Sequence, residues 1–136
     1  MYMKHSHYNI MFFIMILSGL LSTMNIWVDK YDDIRLGLND VYMIMLMTGW
    51  MFFFMGLVYQ HISVFLIGIS LVIMNIYFIR SQFLITDAQY KLGMIPHHSM
   101  AIHMSKKLLE KENNLDDFLK NIINTQENEI LFMKSG

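Results

Sequence analysis

The sequence predicts an all-helical protein: three membrane-spanning helices followed by an antiparallel helical hairpin. Three observations lead there. Hydrophobic residues make up 55% of the 136 residues and charged ones only 15%, with the apolar residues gathered in long runs. Residues 41–79 contain no Lys, Arg, Asp or Glu, whereas 104–136 are rich in Lys, Asp and Glu. Within that polar part Leu115, Phe118, Leu119, Ile122, Ile123, Gln126, Ile130 and Met133 recur at helical spacing. The predicted division is a membrane region over 1–85 and a hairpin over 86–136.

Residues 1–8 form a short polar start in which Met1, Met3, His5 and His7 alternate. Such a tail could wrap a metal, or simply flank a span. The first span is Ile10–Val28, and about 19 apolar residues nearly cross a hydrocarbon core of roughly 30 Å. Trp27 closes it where indole favours the interface. Ser18, Gly19, Ser22 and Thr23 offer small faces for a second helix. The run is longer than a signal-peptide core and no small-residue cleavage site follows, so it reads as a retained helix.

A polar connector follows over 29–40, carrying Asp29, Lys30, Asp32, Asp33, Arg35 and Asp40. The second span is 41–60, where Met43, Met47, Met51 and Met55 recur every four residues. Without a histidine or carboxylate in that stripe, it reads as a packing seam rather than a soft-metal track. Gln60 and His61 make a tight connector to the third span, 62–79, which Arg80 closes. Asn75 lies deep in it and is expected to bond to Asn25 or a backbone carbonyl. Lys30 and Arg35 share a side with Arg80 and Lys91, against Lys4 alone, so the positive-inside rule favours a cytoplasmic hairpin.

The hairpin is predicted as a helix over 86–111, begun by Thr86 or Asp87 and kinked at Pro96, a turn over 112–114, and a helix over 115–134. About fifty residues bury little core alone. The hairpin is therefore expected to dock on a second copy, on another membrane protein, or on the spans.

Met94 to Met104 holds three histidines and three methionines. Imidazole and thioether are ligands for borderline and soft metals. On a helical wheel Asp87, Met94, His97, His98, Ala101, Met104 and Leu108 share one broad face, and His103 points away. On the next helix Gln126, Glu129, Ile130 and Met133 share a face. Packing the two would bring His97 and His98 towards Glu129, Gln126 and Met133. Two readings stand side by side: a metal shell, or a buried polar network joining the histidines to Glu129 and Asp87. Adjacent histidines diverge on a regular helix, an objection that the Pro96 kink loosens without removing.

Other chemistries find no footing. There is no cysteine, hence no disulfide, thiol nucleophile or zinc-cysteine knuckle. Net charge is −1, which leaves no basic footprint for nucleic acid. Di-iron bundles use several inward carboxylates and Glu-x-x-His motifs that this chain lacks, and no Ser-His-Asp order or Gly-rich phosphate loop occurs. The expectation is a protein that is not an enzyme.

Asp87, Tyr90, Met94-Ile95-Pro96-His97-His98, Ala101-Ile102 and Gln126-x-x-Glu129-Ile130-x-x-Met133 resemble the hallmark of the family called domain of unknown function 305. The spans and Arg80-Ser81-Gln82 resemble its membrane-anchored bacterial branch. The resemblance implies a ferritin-like hairpin fold in a bacterial plasma membrane, and a link to copper binding and tolerance. Copper, as Cu(I) with Ag(I) as surrogate, is the implied cofactor. The implied ligands are His97 and His98, with Met94, Met104, Glu129 and Met133 contributing, and His103 and Asp87 accessory. Exported relatives would put the hairpin outside the cytoplasm, against the Lys/Arg count, so the side stays open. The role expected is metal buffering, tolerance or hand-off; the alternative is a structural or partner-binding membrane module in which the His/Glu cluster only stabilises helix packing.

Overall fold

The computed structural model describes residues 5–135. Met1 and Met3, on which a Met/His tail would depend, lie outside the described residues. The elements are five α-helices, with no strand among the described residues: α1 His5–Leu21, α2 Leu38–Val58, α3 Ile62–Ser81, α4 Asp87–Leu109 and α5 Asp116–Ser135. They form two compact units, one from residues up to 22 with 38–85, the other from 23–37 with 86–136.

The first unit contains α1, α2 and α3. Its helices α2 and α3 lie closest where glycines remove side chains. A Cβ on Gly68 would sit 2.2 Å from the Phe53 backbone nitrogen, and one on Gly56 would sit 2.4 Å from that of Phe65. Gly19 of α1 likewise admits the Ile44 side chain. The turn between α2 and α3 is as tight as expected. Gln60 adopts a left-handed φ of 53°, and the His61 ring caps α3 by accepting from the Val64 N–H. Tyr8, Phe52 and Val64 form a buried cluster with Phe12, Met51, Met55 and Leu71 around it. Half of the methionine stripe therefore packs, while Met43 and Met47 are exposed. Asn75 is buried and bonds the Leu71 carbonyl one turn back, not Asn25.

Three stretches are long and apolar enough to cross a membrane: His7–Trp27, Leu38–Val58 and Ile62–Ser81. The first is not one helix. The expected continuation to Val28 fails because α1 ends at Leu21 and Thr23 turns extended, its hydroxyl capping a 3-10 turn at Met24–Trp27. Small residues that read as a packing face thus partly serve to end the helix.

The second unit is the α4–α5 hairpin plus residues 23–37. Thr86 caps α4 by accepting from the Gln89 N–H. Pro96 is buried inside a helix that runs on through it. The turn is built on Asn113, whose side chain donates to the Leu108 and Lys111 carbonyls and accepts from the Leu115 N–H. Ile95, Ile102, Ile130 and Met133 form the hairpin core, with Met94 and Ile123 against it. Residues 23–37 make two 3-10 turns, Met24–Trp27 and Tyr31–Asp33. Asn25 closes them into a loop by pairing its side-chain amide with both backbone groups of Arg35, at 2.8 and 2.9 Å.

Candidate functional site

His98 is buried on the α5 side of α4. Its Nδ1 lies 2.9 Å from the Met94 carbonyl oxygen. A carbonyl only accepts, so Nδ1 carries the proton and Nε2 is the atom left to face α5. Nε2 meets Glu129 Oε2 at 2.5 Å. The two atoms share a hydrogen bond across the hairpin. The ring is 10% exposed and the carboxylate 51%, so the pair closes the hairpin core at its surface.

The other predicted site residues go elsewhere. His97 is exposed, with its ring centroid 6.4 Å from that of His98 and the planes at 66°. Neighbouring residues on a helix point about 100° apart, and Pro96 does not bring the rings together. Met104 is exposed and His103 half-buried. Met94 and Met133 pack into the hairpin core, and Gln126 is half-buried. Asp87 lines a cavity that His98 does not border. Of the expected shell, only His98 and Glu129 meet through a side-chain bond. Among the described residues no three His, Asp or Glu side chains are gathered so as to hold a metal ion.

A second polar constellation, on the neighbouring face of α4, was not legible in the sequence. Ser99 is fully buried; its hydroxyl accepts from the Asp29 N–H at 2.7 Å and donates to Asp33 Oδ2 at 2.7 Å. Lys106 reaches Asp29 at 2.8 Å, and Lys134 reaches Asp32 at 2.8 Å and Asp33 at 2.5 Å. The hydrogen bond to Asp29 holds the Lys106 ammonium above its ordinary pKa against the pull of desolvation. Burial pulls Lys134 down, but its bonds to Asp32 and Asp33 outweigh that and raise it. The Lys134 bond in turn lowers Asp32. One usable signal was present: Ser99 stands beside His98 near the buried side of α4, where a small hydroxyl calls for a partner.

The family model described as domain of unknown function (DUF305) matches residues 82–135, which include all of α4 and α5. An uncharacterized protein of Acanthamoeba polyphaga mimivirus is 44% identical over 126 residues, covering 88% of this chain and 83% of the relative. The chain belongs to the DUF305 family. No solved structure matches it. Within this DUF305 protein the hallmark residues divide into two places. Met94, His98 and Glu129 share the clasp between α4 and α5, whereas Asp87 and Met133 line the cavity. The connector that completes the second unit lies outside the residues that the DUF305 model matches.

Proposed function

We propose that this DUF305 protein is a non-catalytic multi-pass membrane protein whose α4–α5 hairpin, with the connector docked on it, serves as a partner-binding head. The observation that carries this reading is the His98–Glu129 bond. The imidazole and the carboxylate that the motif could offer to a ligand are committed to each other, across two helices. Support for the bilayer as partner comes from three stretches of spanning length and hydropathy. Support for a protein partner, a second copy or another membrane protein, comes from exposed Tyr90, Met104, Leu108, Leu115 and Phe118 on the hairpin. The relative is viral, so the reading extends to a membrane and not to the bacterial plasma membrane that the resemblance implied.

Among the described residues only two donors of the expected shell, His98 and Glu129, meet through a side-chain bond. One observation nonetheless favours a second reading, copper buffering or hand-off. The Met94 carbonyl orients His98 as carbonyls orient metal-binding histidines, so that Nε2, bonded to Glu129 here, is the nitrogen a metal would take. Met94 and Met133 supply thioethers in the adjoining core. Two measurements on the full chain in detergent separate the readings. Under the clasp reading, His98→Ala and Glu129→Gln each lower the metal-free melting temperature, and added Cu(I) or Ag(I) does not raise that of the native chain. A ligand bound only to the folded state must raise it. Stoichiometric copper in protein purified without added metal, abolished by His97→Ala with His98→Ala, would overturn the clasp reading and establish copper.

A further inference from the structure

Within the second unit is a cavity of about 540 Å³, in the size range of small-ligand sites. Its apolar floor is Ala88, Leu92, Ile95 and Met133. Its polar lining is Arg35, Lys91, Lys134 and Asp87. The charges there are unequally satisfied. Lys134 is held between Asp32 and Asp33. Lys91 is half-buried and makes no hydrogen bond or ion pair among the described residues. The Arg35 guanidinium donates from Nη1 to the Asp32 and Ile34 carbonyls at 2.6 and 2.8 Å. Those bonds fix the head without neutralising it, and Asn25 fixes its backbone. One unpaired cation, Lys91, and one guanidinium held by carbonyls and attracted only at longer range by Asp32 thus oppose the carboxylate of Asp87 over an apolar floor. The complement to that lining is an oxyanion attached to an apolar body, and a planar, immobilised guanidinium is well suited to a phosphate.

Sequence position indicates the source of such a ligand. Two residues separate Arg35 from Leu38, the first residue of the apolar helix α2. Basic residues that flank a span meet lipid headgroups. We propose that this cavity binds the phosphate oxyanion of a membrane phospholipid headgroup, with Lys91 and Arg35 as its cationic contacts and the Leu92–Ile95–Met133 floor under its glycerol end. The lipid source rests on the membrane reading above; the oxyanion site does not. Asp87 works against the ligand and keeps the affinity moderate.

The test uses the full chain purified in detergent, with native mass spectrometry of retained phosphatidylglycerol. The native chain should hold one lipid. Lys91→Glu should retain it about tenfold less well, the equivalent of one charge-assisted hydrogen bond. Asp87→Asn should retain it better. Lys91 has no side-chain partner, so the fold should survive; Lys91→Gln serves if the reversed charge disturbs α4. Inorganic phosphate as competitor separates the sources. Displacement of the lipid by phosphate at equal potency assigns the site to a soluble phosphate, and failure to displace assigns it to the headgroup. Equal lipid and phosphate binding by native chain, Lys91→Glu and Lys91→Gln would overturn the site. A chain washed from membranes by carbonate that still binds phosphate through Lys91 would overturn the membrane reading and leave the site standing.

Discussion

Asp33 is where the docked connector is most exposed to a single substitution. Its side chain is 5% exposed and accepts from Ser99 Oγ at 2.7 Å and Lys134 Nζ at 2.5 Å. Asp33→Ala removes both bonds. Breaking a buried ion pair from one side costs about 3–5 kcal/mol when the remaining charge is stranded. Lys134 is not fully stranded, because its side chain is 22% exposed and Asp32 remains 2.8 Å away, which brings the figure below that range, to about 2 kcal/mol. Ser99 still accepts from Asp29 but loses the acceptor for its own proton, about 1 kcal/mol. Together these weaken docking by about 3 kcal/mol. The connector carries its own reporters, since trypsin cuts after Lys30 and Arg35. When cleavage is slow beside opening, its rate follows the open population, so about 3 kcal/mol becomes roughly a hundredfold faster cleavage of the detergent-solubilised chain. Asp32→Ala is the control: it removes the same charge from a side chain that is 83% exposed and should leave cleavage near the native rate. Equal rates for the two variants would refute the argument, because the distinction rests on burial and not on charge.

In the first unit, Gly68→Ala should lower the melting temperature in detergent by the equivalent of about 1–3 kcal/mol, because the added carbon meets the Phe53 backbone, which has no rotamer to yield. Gly49→Ala should do less, since its nearest neighbours, Leu71 Cβ and the Val72 nitrogen, stand farther off at 2.9 and 3.0 Å; an unchanged melt for Gly68→Ala would rule out the close approach. Connector docking should also have a wide pH plateau. Lys106 and Lys134 are raised, so their contribution is full below the ordinary 10.5 and lost as pH climbs through their higher folded values. Asp32 is lowered too, but its side chain is 83% exposed, so the contribution that it loses as pH falls through its depressed value is small. A spin label on Tyr31→Cys, placed at a 92% exposed site in a chain without native cysteine, should gain mobility only at the alkaline extreme. A transition near neutral pH would contradict this.

The helices were legible because their signals are local. Charge-free runs, the Gln60-His61 break and the Thr86 cap are each read within a few residues, and the structure follows them closely. The His98–Glu129 contact was legible too, since two helical faces and a short turn leave few ways to pair them. His97 was not separable from His98 by type alone; the 100° step of the helix is what sends it to solvent. The docked connector was not legible. Asp29, Asp32 and Asp33 look like any solvated loop, and their partners Ser99, Lys106 and Lys134 lie between 66 and 102 residues away. Nothing in spacing announces a contact of that range, and the end of α1 at Leu21 could not be foreseen while Trp27 looked like an interfacial anchor.

The linear order of the motif suggests one site, but the geometry divides it by the direction each side chain takes from α4. Residues 94 and 98 share a face, one turn apart, and reach Glu129; Asp87, Lys91 and Ile95 are successive four-residue steps that border the cavity. A helix that presents one row of residues to its neighbour and another to a cavity can serve structure and binding without compromise between them. The clasp has every ring nitrogen of His98 engaged, so it has little left to offer a ligand. The cavity keeps an unpaired lysine and a pre-set guanidinium, the groups whose desolvation calls for a counter-charge. Binding chemistry is therefore to be sought at Arg35 and Lys91, while His98 and Glu129 join the two helices.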